Sequence, residues 1–214
     1  MDYDHFLTKR VNAIKASATV AINEKVIGMR SRGIDVISLA VGEPDFDTPE
    51  NIKKAAVAAI ESGFTKYTAV AGILELKEAI AEKFHHDNGL TYKPSQISVA
   101  CGAKHALYNI AQVLWDKGDE VIIPAPCWVS YTDQVTLTGA TPVIFDTSKF
   151  ENFAISRDEL NALITPRTRA ILINSPNNPT GKVYHRSELE IIARLAVEKD
   201  LLIITDEIYG KNFI

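Results

Sequence analysis

The sequence predicts an α/β fold of three layers, a mostly parallel sheet held between helices. Two observations predict it. Five short runs rich in Val and Ile punctuate the chain: ISVA (97–100), EVIIP (120–124), PVIF (142–145), AILIN (170–174) and LLIIT (201–205). None alternates strictly between apolar and polar residues, as expected of strands covered on both faces. Segments of helical periodicity separate or flank these runs.

The first such helix is TPENIKKAAVAAIESG. Thr48 is placed to cap it, Pro49 suits its first position and Gly63 its end. Ile52, Ala55, Ala56, Ala59 and Ile60 share one face. The second is ILELKEAIAEKFHH, with Ile73, Leu76, Ile80 and Phe84 aligned. The third is AKHALYNIAQVLW, with Leu107, Ile110, Ala111 and Leu114 aligned. In the fourth, SELEIIARLAVEKD, Ser187 and Glu190 have capping-box spacing. Residues 1–45 read as an N-terminal arm, one helix followed by an extended stretch. Residues 46–214 read as a larger α/β unit. No internal repeat or low-complexity segment is present.

Hydrophobic residues make up 46% and charged residues 23%, which is ordinary for a globular protein. The net charge of −4 gives no global basic field for nucleic acid, so an anionic ligand must be held by local groups. Cys101 and Cys127 form no CxxC pair, which predicts reduced thiols. The charged N-terminus lacks the apolar core of a secretory signal. No apolar run approaches the roughly 20 residues of a membrane span. A cytoplasmic location, with no membrane or nucleic-acid partner, is the expectation.

In open α/β sheets ligands sit at the carboxyl ends of strands. After ISVA, a small turn at Gly102 and Ala103 leads into a helix whose free N–H groups favour an anion. An ordinary strand-to-helix turn would look the same. No GxGxxG or GxxxxGK[ST] motif occurs, which argues against dinucleotide and Walker-type sites. After EVIIP, Trp128 could stack on a planar ligand or fill the core. After AILIN, the sequence SPNNPTG is a constrained turn carrying the amides of Asn177 and Asn178. After LLIIT, Asp206 stands at a strand end with Tyr209 three residues on. A buried carboxylate there calls for a cationic partner; a helix-capping role is the simpler alternative.

VGEPDFDTPE, KYTAVAGILELKEAI, GAKHAL, PCWVSY, NSPNNPTG and TDEIY occur in that order. With them the chain, from Arg10 onward, resembles the class I aminotransferases of pyridoxal-phosphate fold type I, nearest the bacterial aspartate aminotransferase branch. The resemblance implies pyridoxal 5'-phosphate as cofactor, with amino group exchange between an amino acid and a 2-oxo acid. It implies that Gly102, Ala103 and Lys104 form the phosphate turn, that Trp128 stacks on the pyridine ring, and that Asn178 and Tyr209 reach its phenolic oxygen. It places Asp206 at the ring nitrogen, so the cationic partner becomes the cofactor itself. Tyr67 would reach the phosphate of a neighbouring subunit, implying a homodimer. Gly42, Trp128 and Asn178 would line the substrate site. Lys104 would favour an acidic side chain, pointing to aspartate or glutamate. No metal site and no role for His85, His86, His105 or His185 is implied.

The resemblance also implies a chain about twice this long, with the Schiff-base lysine beyond residue 214. No lysine present stands at that position, so no catalytic residue is assigned, and the 214 residues alone are expected to be inactive. The family's sheet has seven strands in the order 3-2-4-5-6-7-1. The five runs match the first five strands. Without two of its strands the first run would stand roughly 10–15 Å from the rest, at ~4.8 Å per strand spacing. Two alternatives are a non-catalytic fragment or pseudoenzyme and another fold type I reaction, such as β-elimination.

Overall fold

The computed structural model describes residues 4–14, 18–39, 42 and 44–211; Val41 and Glu43 of the first motif lie outside them. In chain order the elements are α1 (Lys9–Asn12), α2 (Ala18–Arg30), α3 (Glu50–Glu61), α4 (Leu74–Asn88), α5 (Ala103–Leu114), β1 (Glu120–Ala125), α6 (Val129–Thr138), β2 (Thr141–Asp146), α7 (Arg157–Ala162), β3 (Thr168–Asn174), α8 (Arg186–Lys199) and β4 (Leu202–Asp206). They fall into two compact units, Lys15–Val99 and Met1–Ile14 with Ala100–Ile214.

The Lys15–Val99 unit is helical. α3 starts one residue after Pro49, whose carbonyl accepts from the Ile52 and Lys53 amides at 3.0 and 3.1 Å. Pro49 is therefore the cap and Thr48 is not. The predicted apolar stripe of α3 is not buried: Ala59 is partly covered and Ile52, Ala55, Ala56 and Ile60 are exposed, and no residue of α3 or α4 is buried. Gly72 has φ +99°, and a Cβ there would meet Val99 Cγ2 at 2.6 Å, so only glycine fits. The Val99 N–H donates to the Ala71 carbonyl at 3.0 Å. The run 97–100 accordingly forms no strand, against expectation. A strand needs a neighbouring ladder to satisfy its backbone, and none pairs with this run among the described residues.

The other unit holds the sheet. Four parallel strands lie in the order β2-β1-β3-β4. This is the 3-2-4-5 portion of the order that the resemblance implies: the four runs expected to stay together pair, and the run 97–100 is not among the strands. Alternate residues of β1 and β3 enter opposite faces. Val121, Ile123, Ala170 and Leu172 pack with Leu107 and Ala111 of α5 and Tyr131 and Val135 of α6. Ile122, Ile171 and Ile173 pack with Phe145, with Leu160 of α7 and with Ile192 and Leu195 of α8. Each central strand is buried on both sides, which makes the three-layer arrangement. β4 is an edge strand, and Leu202 and Ile203 on it are 50% and 38% exposed.

α8 begins earlier than the predicted Ser187–Glu190 box. The Glu188 carboxylate accepts the His185 N–H at 2.8 Å, and Glu190 instead pairs with Arg186 at 3.0 Å. Glu188 also accepts from the Ile155 N–H at 3.1 Å and pairs with the nearly buried Lys182 amine at 3.0 Å. No described helix is long and apolar enough to cross a membrane, and no described cluster of His, Cys, Asp and Glu fits a metal ion.

Candidate functional site

Asn174, Asn177 and Asp206, three of the buried polar residues, stand where β3 and β4 end. Asn174 and Asp206 are register partners and the last residues of these strands. Both are buried, at 3% and 7% exposure. The Asp206 carboxylate accepts from the Tyr131 hydroxyl at 2.8 Å and from the Ile208 N–H at 3.0 Å. Both donors are neutral, and no cationic side chain among the described residues pairs with this acid. Its backbone carbonyl accepts from Asn174 Nδ2 at 2.8 Å and from the Ser175 N–H at 3.2 Å.

Asn178 stands on the turn after β3. Its N–H donates to Asn174 Oδ1 at 2.7 Å, and its Nδ2 donates to the Tyr209 hydroxyl at 3.3 Å. The turn is closed by Asn177, whose N–H reaches the Lys182 carbonyl at 2.9 Å while its Oδ1 accepts from Thr180 Oγ1 at 2.8 Å. Two predicted cofactor residues from different loops, Asn178 and Tyr209, therefore touch directly.

Trp128 precedes α6, and its ring meets the Tyr131 ring edge-on at 5.3 Å. One helical turn separates the two, so the spacing that places Trp128 at the site also brings Tyr131 to Asp206. Burial, and then the hydrogen bond to Asp206, push the Tyr131 phenol far above its ordinary range, so it serves as a donor. Lys104 Nζ lies 4.7 Å from the Trp128 ring centre, within cation–π range. The Lys104 carbonyl is held by Gln134 Nε2 at 3.0 Å. Burial pushes the Cys127 thiol up, consistent with an inert neighbour.

Gly102 caps α5 with φ +83° and ψ 165°, a conformation open essentially to glycine alone. It opens a 12-residue helix, and its carbonyl accepts from the His105 and Ala106 N–H groups at 3.1 and 3.2 Å. Cys101 is exposed, and its N–H donates to His105 Nδ1 at 3.2 Å. Gly42 and Tyr67 belong to the other unit. Tyr67 is fully exposed there, and a Cβ on Gly42 would meet nothing within 4 Å.

Sequence reasoning passed over Tyr131 and Asn174. The signal for Tyr131 was its position three residues after Trp128 within PCWVSY; that for Asn174 was its place as the last residue of an otherwise apolar strand.

Residues 34–213 match the family described as aminotransferase class I and II. An aspartate aminotransferase of Bacillus sp. (strain YM-2) is 51% identical over 205 residues, which cover 96% of this chain and 52% of that protein. An aspartate/prephenate aminotransferase of Thermus thermophilus is 50% identical over 203 residues, covering 95% of this chain and 53% of that one. The solved aspartate aminotransferase from Thermus thermophilus with maleate superposes with a TM-score of 0.91 at 50% identity, over 94% of this chain and 53% of that one. The Thermotoga maritima aspartate aminotransferase gives 0.90 at 43% identity, over 94% and 54%. The chain thus spans about half the length of the relatives it matches. With its parallel sheet, the matched span and these identities, the chain belongs to the class I and II aminotransferase family.

Proposed function

We propose that this chain forms the pyridoxal-phosphate-binding part of an aminotransferase that acts on aspartate or glutamate and a 2-oxo acid. The observation that carries the reading is Asp206, a buried carboxylate whose donors among the described residues are neutral. Burying an acid is costly without compensation, and a protonated ring nitrogen is a cation of suitable size for it. The donor set fits the remaining groups of the cofactor. A glycine-capped helix start suits a phosphate, and the adjoining Asn178 amide and Tyr209 hydroxyl suit a phenolic oxygen.

Bound pyridoxal phosphate supplies an electron sink that stabilises negative charge at the substrate α-carbon. The chain's own residues bind and orient. The amides of Gly102, Ala103 and Lys104 hold the phosphate. Asp206, braced by Tyr131, keeps the ring nitrogen protonated. Trp128 would stack on the ring and exclude water from it. Asn178 and Tyr209 fix the ring's rotation. The Lys104 ammonium favours an acidic substrate side chain, a reading that the names of the relatives also support. Gly42 lines the substrate carboxylate pocket, and Tyr67 serves the phosphate of a second subunit in a cytoplasmic homodimer. Residues 1–45 act as an arm, and 46–214 contribute to the large domain.

None of the lysines present takes the part of the family's catalytic base, so the 214-residue polypeptide binds cofactor without turnover. The test is titration of this polypeptide with pyridoxal phosphate, followed by absorbance, beside its Asp206→Ala variant. Binding that weakens in the variant is expected. Equal affinity in both would refute the assignment of Asp206. Transamination of aspartate and 2-oxoglutarate above a no-protein control would refute the claim of inactivity.

A further inference from the structure

We infer that Asn174 is the positioning residue of this site: one buried side chain sets the spacing between the Asn178 amide and Asp206. The inference rests on the reading of those two residues as cofactor contacts, and Asn174 itself acts only through them.

The hydrogen-bond partners dictate its orientation. The Asn178 N–H can only donate, so the atom 2.7 Å from it is the carbonyl oxygen, Oδ1. The Asp206 carbonyl can only accept, so the atom 2.8 Å from it is the amino group, Nδ2. Both ends are therefore specified, and a flipped amide would set like groups against each other. At 3% exposure the side chain is shielded from solvent. Asn174 is the last residue of β3 and the register partner of Asp206. The ladder ends at this pair, where the Ser175 N–H reaches the Asp206 carbonyl at 3.2 Å and the Asn174 side chain adds a second cross-link to the same oxygen. It ties the start of the loop after β3 to the end of β4. Asn178 then meets Tyr209, which stands three residues after Asp206, at 3.3 Å. Asn174 thus links the turn that carries Asn178 to the strand end that carries Asp206, beside the Ser175 N–H bond to the same carbonyl.

Aspartate and alanine separate the two bonds. Asn174→Asp keeps an acceptor for the Asn178 N–H but turns an oxygen toward the Asp206 carbonyl. Asn174→Ala removes both bonds. Amide hydrogen exchange of the full 214-residue chain reads the positioning without any cofactor. In Asn174→Ala the Asn178 N–H should exchange roughly 10-fold faster, the loss of about one net hydrogen bond, while the Leu172 and Ile123 amides keep their rates. In Asn174→Asp the Asn178 N–H should stay protected. Pyridoxal phosphate affinity, read by absorbance well below the melting temperature, should fall roughly 10-fold in both variants.

Unchanged Asn178 exchange in Asn174→Ala overturns the inference. So does wild-type cofactor affinity in both folded variants, whereas a merely structural residue would lower the melting temperature and leave affinity alone. If Asn174→Ala does not fold, the affinity of Asn174→Asp decides, since loss supports the bridge and retention refutes it. A wild-type chain that binds no pyridoxal phosphate refutes the cofactor reading above, and the exchange arm still decides the role of Asn174.

Discussion

Replacing Lys182 by methionine tests whether the turn bearing Asn178 depends on a buried ion pair. Lys182 and Glu188 side chains are each 9% exposed and 3.0 Å apart. Removing one partner of a buried pair costs about 3–5 kcal/mol, because the other charge is left uncompensated. Glu188 would keep two backbone donors, the Ile155 N–H at 3.1 Å and the His185 N–H at 2.8 Å. The lower end, about 3 kcal/mol, is therefore expected. Glu188→Leu should cost at least as much, since it strands the Lys182 amine and the buried Ile155 amide together. The loss should also depend on pH. Burial alone would raise the Glu188 carboxyl, but the His185 amide, Lys182 and the Ile155 amide outweigh it and hold the carboxyl below its ordinary value of 4.5. A depressed acid stabilises the fold above its unfolded value and loses that contribution as pH falls through the folded one. The gap between wild type and Lys182→Met should thus be full at pH 7 and shrink below about pH 4.5. Urea unfolding followed by circular dichroism at both ends of that range measures it. A difference at pH 7 of under about 0.5 kcal/mol, the usual scatter of surface substitutions, would refute the reasoning.

Three further outcomes are expected. Tyr131→Phe should lower unfolding free energy by about 1.5–3 kcal/mol, since a buried charged acceptor loses its donor; an unchanged urea midpoint would contradict the 2.8 Å bond. Gly102→Ala should cost about 1–3 kcal/mol of backbone strain at φ +83° and weaken pyridoxal phosphate binding, both checked by paired melting and titration. Leu195→Ala, at a position with no exposure, should cost about 2–5 kcal/mol in urea unfolding while leaving cofactor affinity intact.

Much of the fold could be read because four of the Val- and Ile-rich runs are strands of one sheet, and the two central ones are covered on both faces. Burial on both sides is what produces a continuous apolar run. The fifth run, 97–100, has the same composition and forms no strand, because pairing is a property of the neighbour as well as of the segment. α6 escaped notice for a related reason. VSYTDQVTLT is rich in β-branched residues, which disfavour helix, yet Tyr131, Gln134, Val135 and Thr138 fall on one buried face and packing overrides propensity. The shift of the α8 start was invisible because Ser187–Glu190 and His185–Glu188 are both three apart. Glu188 is chosen by Lys182 and Ile155, groups distant in sequence or on another loop. Within the site, Asp206, Asn178 and Tyr209 were legible from strand-end position and motif. Asn174 and Tyr131 were not, since they act on other residues and carry no mark of their own beyond spacing.

The outer side of β4 should govern how the polypeptide behaves in solution. No strand among the described residues pairs with it, and Leu202 and Ile203 stand half uncovered along it. Such an edge offers main-chain donors and acceptors in register to any other extended segment, including the same edge of another molecule. Charge does little to discourage this, because the strand LIITD carries one acid, and that acid faces inward. Colloidal stability of the 214-residue polypeptide should therefore fall with concentration, seen as rising light scattering. A lysine at Leu202, which adds charge to the edge without touching Asp206, should restore it; scattering that stays flat in the parent chain would show that the edge is already protected.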